Sequence, residues 1–272
     1  MSELALRVGG CRGSMSVFGP DHARFGGNTT SFYAEVEPDH HLVIDAGTGI
    51  RRLQHEVADR GPQEFTILLT HYHWDHIQGL PVFGPLFEAG NRVNLIGPEL
   101  GGLGPQESLD SVMCSPWWPV SLDEAAAELT IEALAEGPIE IAGVKVTHAQ
   151  LHHPDGVVGY RLTATRSIVI ATDQEAGEPA SDARLRELAA GAHILIHDGQ
   201  YTPDETKGPR RGWGHSDWKA AATVARDAAV GHLILTSHDP DRTDVEIDAL
   251  RGEARALFPR TDAAYEGLEL TF

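Results

Sequence analysis

Short apolar runs recur along the chain at strand length, and several of them end on a polar or charged side chain. Strands are predicted around Phe32 to Val36, Leu42 to Asp45, Phe65 to Thr70, Val93 to Ile96, Val144 to Thr147, Val158 to Leu162, Ser167 to Thr172, His193 to His197 and His232 to Thr236. Helical character falls between them. Gly47-Thr48-Gly49 opens a helix to about Asp59, Ser121 to Ala127 is rich in Ala and Glu, and Ser181 to Ala190 is amphipathic. Trp218 to Ala229 is rich in Ala, and Val245 to Ala256 closes the series. This alternation predicts an α/β layered protein. No linker interrupts it, so residues 1–272 are expected to form a single domain.

The strand ends carry the chemistry. After the run Phe65 to Thr70 comes His71-Tyr72-His73-Trp74-Asp75-His76, three imidazoles and a carboxylate on one short turn. His71 and His73 are two apart and can point the same way, whereas Asp75 and His76 can face a second position nearby. Neutral imidazole is the commonest metal ligand, so the spacing points to two adjacent ions. Each ion needs further ligands, and a catalytic ion keeps one place for water. Three other strands offer them at the same relative place: Val144 to Leu151 runs into His152 and His153, Ser167 to Thr172 into Asp173, and His232 to Ser237 into His238. Open sheets collect their function at that carboxyl edge.

The six-residue cluster matches the HxHxDH signature of the metallo-β-lactamase fold, which the chain resembles over nearly all its length. Asp45-Ala46-Gly47-Thr48-Gly49, His152-His153-Pro154-Asp155-Gly156, Ala171-Thr172-Asp173 and Ser237-His238-Asp239-Pro240 follow in the expected order, with Gly26 to Thr30 and Gly212 to Ser216 as outer landmarks. The likeness is to the phosphodiesterase branch, which includes tRNA-processing RNase Z, a phosphonate-pathway cyclic phosphodiesterase and enzymes that degrade cyclic nucleotides. It implies an αββα sandwich. It also implies two divalent ions, zinc first with manganese or iron as alternatives, and a homodimer. His71, His73 and His153 would hold one ion, Asp75, His76 and His238 the other, and Asp173 would bridge them. His152 stays a second candidate beside His153. Asp75, His215 and Asp198 are the expected catalytic residues, with His215 the general acid and Asp198 its orienting partner. His197 should point the opposite way on its strand. Asp217 stands where relatives often carry Thr, and its charge near the acid bears on proton affinity and substrate preference.

Composition narrows the substrate. Lys and Arg number 21 against 40 Asp and Glu, a formal charge of −19, and no broad basic patch or tail is legible. Nucleic-acid binders cluster positive charge to neutralise phosphates. A small phosphodiester is therefore expected as the partner, with a 3′,5′-cyclic nucleotide the preferred guess, and no large nucleic acid. RNase Z-like cleavage of tRNA and lactone or thioester hydrolysis are the rivals. Cys11 and Cys114 are too few for a disulfide framework and wrongly spaced for a thiolate zinc site. The start lacks a signal-peptide layout and no apolar run reaches membrane-spanning length, so a cytoplasmic protein is expected, without membrane contact.

Outer roles are also predicted. Asp45 ends a strand and, by the resemblance, fixes a ligand imidazole, with a helix N-cap as the alternative. Asn28 and Thr29, with Thr30, are candidate substrate contacts or simply a polar turn. Trp117 and Trp118 could wall a pocket and stack on a base, with core packing or a dimer contact as the alternatives. Arg210 and Arg211, with Lys207, form a basic loop that could steer phosphate.

Overall fold

The computed structural model describes residues 3–272. Its first sheet is built from β1 (Ala5–Gly10), β2 (Ser31–Glu37), β3 (His40–Ile44), β4 (Glu64–Leu68), β5 (Arg92–Gly97), β6 (Glu128–Ala133) and, from the far end of the chain, β14 (Glu269–Thr271). The order across it is β14-β1-β2-β3-β4-β5-β6. The second sheet comprises β7 (Ile139–Ile141), β8 (Val144–Leu151), β9 (Val157–Thr163), β10 (Ser167–Ala171), β11 (Ile194–Asp198), β12 (His232–Thr236) and β13 (Thr261–Ala263), ordered β13-β12-β11-β10-β9-β8-β7.

Period-two alternation explains how apolar runs serve two layers at once. Leu42, Ile44, Ile168, Ile170, Ile194, Ile196 and Ile234 meet in the core between the sheets, with Phe32, Tyr160 and Leu162. Their neighbours point outward. Val43, Phe65, Ile67, Val93 and Leu95 pack under α1 (Ile50–Val57), α2 (Trp74–Ile77) and α3 (Pro105–Asp110). Val169, Leu195, Leu233 and Leu235 pack under α4 (Pro179–Ala189), α6 (Trp218–Asp227) and α7 (Asp244–Leu257), while the short α5 (Pro203–Lys207) stands apart. The αββα sandwich expected from the resemblance is therefore the observed architecture. Among the described residues no helix is long and apolar enough to cross a membrane.

Two expectations change. Ser121 to Ala127 is not a helix but one 3-10 turn, Leu122–Glu124, closed by a Ser121/Glu124 capping box. The start signal is present, yet Ala127 N–H goes to the Leu86 carbonyl and Glu128 N–H to that of Asn91, which commits the chain to β6. The helix after Gly47-Thr48-Gly49 begins only at Ile50.

Chain direction brings the strand ends together. Strands β3 to β6 run parallel, as do β10 to β13, and β8 is parallel to β10 because both are antiparallel to β9. The loops after β4, β8, β10, β11 and β12 therefore open at one end of the sandwich.

Candidate metal centre

His71, His73, His153 and Asp173 meet at that end, as do His76 and, beyond Asp173, Asp198 and His215. Donor atoms of His71, His73 and His153 lie within 4.8 Å of one another, as do those of His71, His76 and Asp173, and those of Asp173, Asp198 and His215. His153 Nε2 faces His73 Nδ1 at 2.9 Å. Asp173 Oδ2 lies 3.1 Å from His76 Nε2 and 3.8 Å from His71 Nε2. Asp75 Oδ2 is 3.4 Å from His76 Nε2 and accepts the Ser14 N–H at 2.7 Å.

The buried nitrogens decide what this pocket is for. His71 Nε2 is fully enclosed and makes no hydrogen bond, which costs about 1–3 kcal/mol unless something binds there, and the enclosed His76 Nε2 has only the carboxylate oxygens of Asp173 and Asp75 before it, at 3.1 and 3.4 Å. The other ring nitrogens are held: His71 Nδ1 by Thr70 Oγ1 at 3.0 Å, His76 Nδ1 by Asp45 Oδ2 at 2.7 Å, and His153 Nδ1 by the Gly214 carbonyl at 2.7 Å. Metal-ligating histidines are oriented in this way, so the donor set fits divalent ions. Asp45 caps no helix; its second oxygen instead takes the Thr70 N–H. Asp45, Asp173 and Ser237 all adopt left-handed backbone, with φ of 61°, 52° and 55°. Such conformations cost about 1–3 kcal/mol each and gather at functional sites.

His153, not the exposed His152, enters the cluster. The assignment of His238 is corrected. Its Nε2 donates to the Ala264 carbonyl at 2.9 Å and its ring meets Phe25 edge-on, away from the other ligands. The residue facing the pocket after β12 is Ser237, whose Oγ donates to Asp173 Oδ1 at 3.2 Å. The left-handed turn at Ser237 spends that first inward position on a hydroxyl and swings the next side chain outward.

The outer candidates divide. Thr29 is wholly buried and its hydroxyl accepts the Thr48 N–H at 2.9 Å, so it belongs to a structural turn and not to substrate contact. Asn28 is half-buried and its carbonyl accepts from Cys11 and Arg12. Trp117 is exposed and Trp118 half-buried, and neither lines the two cavities beside the histidines. Asp217 caps α6 through Lys219 and Ala220 N–H groups. Arg211 and Lys207 line a 480 Å³ cavity with His215, whereas Arg210 stacks on Trp213 at 4.3 Å. His197 is buried, with Nδ1 on the Asp198 carbonyl. Sequence reasoning missed Ser14, Thr70, Ser237 and Glu175, whose carboxylate holds Gly212 N–H and Gly214 N–H at 2.8 Å each.

Electrostatics separates the imidazoles. Burial pushes His71 well below its ordinary range and His153 down to about 4, so both are neutral and ready to ligate. Burial acts the same way on His76, but Asp173, Asp75 and Asp45 outweigh it and raise its pKa well above 6.5. Burial likewise opposes the Asp173 carboxylate, yet His76 and His215 hold it well below the usual range. His76 is thus protonated at neutral pH until an ion displaces the proton. Metal uptake is expected to release protons and to weaken as pH falls, because the raised pKa makes protons better competitors. Calorimetric titration in buffers of different ionisation enthalpy checks this; heats that do not depend on the buffer would contradict it.

Burial pushes the Asp198 carboxyl up to about 6, against the pull of His215. Burial disfavours the His215 cation, but Asp198 and Asp173 raise its pKa to about 9. His215 Nδ1 and Asp198 Oδ2 are 2.7 Å apart, so an imidazolium-carboxylate pair prevails near neutrality.

Residues 40–238 match the family model described as beta-lactamase superfamily domain. Ribonuclease BN of Salmonella typhi is 26% identical over 276 aligned positions, which cover 82% of this chain and 87% of that one. Among solved structures, the metallo-beta-lactamase fold protein YhfI from Bacillus subtilis superposes with TM-score 0.74 at 18% identity, covering 99% of this chain and 100% of its own. A diphosphatase from the PhnP family gives 0.71 at 21% identity, covering 100% of this chain and 98% of its own. With the family match spanning most of the chain and the buried imidazole cluster at its sheet edge, this protein belongs to the beta-lactamase superfamily and is a metal-dependent hydrolase.

Proposed function

We propose that the protein is a dinuclear phosphodiesterase for small substrates, with a 3′,5′-cyclic nucleotide as the preferred one. The observation that carries this is the His215–Asp198 pair standing beside Asp173, a proton donor placed at the edge of the ligand cluster. A phosphodiester with an alkoxide leaving group needs such a donor; a lactone or thioester has less use for it.

Two divalent ions, when bound, supply a water acidic enough to attack near neutral pH and positive charge for the phosphoryl oxygens. The chain does the rest. Asp198 accepts from His215 Nδ1–H, which leaves the transferable proton on Nε2. His215 gives that proton to the departing ribose oxygen. Lys207 and Arg211 stand on the wall of the 480 Å³ cavity that His215 also lines, but Glu175, Glu178 and Asp217 line it too, so the phosphodiester's charge falls to the ions and His215 more than to this wall. On the other flank, Leu100, Leu103, Val112 and Tyr72 line a 330 Å³ cavity with His71 and His73, of a size and polarity suited to a nucleobase. A net charge of −19 weighs against a polyanion such as tRNA. The relationship to ribonuclease BN supports phosphodiester chemistry and leaves substrate size to be decided by charge.

The deciding assay compares cyclic mononucleotides, linear dinucleotides, a bis-aryl phosphodiester, an acyl-homoserine lactone and precursor tRNA on the zinc- and manganese-loaded protein. A kcat/KM on precursor tRNA above that on every cyclic nucleotide would overturn the proposal in favour of tRNA processing. Asp198→Asn removes the charge that keeps His215 protonated. The alkaline limb of the pH profile should then move to lower pH, by about one to three units for loss of an adjacent opposite charge; an unmoved limb on a slow-leaving substrate speaks against the pair.

A further inference from the structure

We propose that the two metal positions are chemically unequal: a nitrogen-rich one that holds zinc tightly, and an oxygen-rich one at Asp75 and His76, completed by the Ser237 hydroxyl, that binds its ion more weakly and accepts manganese. This rests on the dinuclear reading above.

The first position has three imidazoles, His71, His73 and His153, with the Asp173 carboxylate behind them. Three of its donors are nitrogens, the set that suits zinc. The second is different. His76 Nε2 is its single imidazole nitrogen, facing Asp75 Oδ2 at 3.4 Å and Asp173 Oδ2 at 3.1 Å. Where the sequence offers a further histidine, the chain has turned His238 into the core, onto the Ala264 carbonyl and Phe25. Ser237 takes its place, wholly buried, with its hydroxyl on the other oxygen of Asp173. Behind Ser14, Gln200 Oε1 is also buried without a partner, and it too is an oxygen. One nitrogen among carboxylate and hydroxyl oxygens is a donor set for manganese or magnesium rather than for a tightly held zinc.

The test counts ions on the full-length protein without reference to turnover. Chelator-stripped protein is loaded with excess zinc, desalted, and its metal measured by plasma emission. The expected result is one zinc retained per chain. Manganese added to that species should bind at one further equivalent, seen by electron paramagnetic resonance, with affinity at least about tenfold weaker than the first zinc, the smallest loss seen when a site's supporting ligands are removed. Ser237→His should raise the retained zinc from one to two; histidine is among the residues that tolerate left-handed backbone. Asp75→Asn is the second arm: it should abolish the manganese event and leave the first zinc in place.

Wild-type protein that retains two zinc ions of equal affinity overturns the inequality and leaves the dinuclear reading standing. A folded Ser237→His variant whose second affinity is unchanged, or an Asp75→Asn variant that loses both ions together, also overturns it. Protein that retains no ion at all overturns the parent reading with it.

Discussion

Asp173→Ala is expected to cut turnover by at least about 10²-fold, the lower end of the scale on which loss of one preorganised charge-stabilising group is felt. Among the described residues Asp173 is the carboxylate that approaches candidate ligands of both positions, lying 3.1 Å from His76 Nε2, 3.8 Å from His71 Nε2 and 4.0 Å from His153 Nε2. Removing it leaves the cationic form of His76 without its foremost partner and, on the dinuclear reading, the two positions without the oxygen proposed to join them. Metal content should fall together with activity. A thermal readout separates this from misfolding: an ion at a hundred times its dissociation constant stabilises wild-type protein by about 2.7 kcal/mol. The variant should keep a cooperative melt but gain nothing from added zinc. Two ions per chain in the variant would contradict the bridging role.

His215→Ala is expected to reduce turnover of a cyclic nucleotide by about 10²- to 10⁴-fold, the usual contribution of a positioned general acid. At about 1.4 kcal/mol per decade, that is roughly 3–5.5 kcal/mol of barrier. The same variant should lose no more than a few-fold on a bis-aryl phosphodiester, whose phenolate departs without a proton. The contrast between the two substrates is the informative measurement, since a damaged metal site would depress both. Equal losses on both substrates would remove His215 from proton transfer. His215 is buried beside Asp198, so a His215→Gln variant of closer volume serves where alanine unsettles the loop.

Much of this architecture is legible in the sequence because the central strands bury both faces. Ile168-Val169-Ile170 and Ile194-Leu195-Ile196 show no alternation, but their short length and β-branched residues mark strands buried on both faces, and the polar residue that ends each run is placed by the strand before it. That Asp45 holds a ligand imidazole follows from the resemblance and not from strand pattern; the structure shows that the ring is that of His76. The edges were less readable. Strands β7, β13 and β14 have three residues each, too few to show a period, and β6 alternates Glu128, Thr130 and Glu132 with Leu129 and Ile131, too polar to stand out as an apolar run. His238 failed for a conformational reason. Counting positions past β12 assumes extended backbone, but φ of 55° at Ser237 rotates everything that follows. A signal was present: Asp45 is likewise the first residue beyond its strand, likewise left-handed, and points inward. After β3 and β12 alike, the left-handed first residue faces the pocket, and at β12 that residue is serine.

The peptide joining Gly214 to His215 has two jobs. Its glycine carbonyl grips the His153 ring, and a side chain on that glycine would collide with His153 Nδ1 at 2.3 Å, while its other end carries His215. Glu175 pins the same short stretch from outside. The His153 ring and His215 therefore share one support: a loop that drifts far enough to free the imidazole also carries His215 away from Asp198, so one displacement would disturb both.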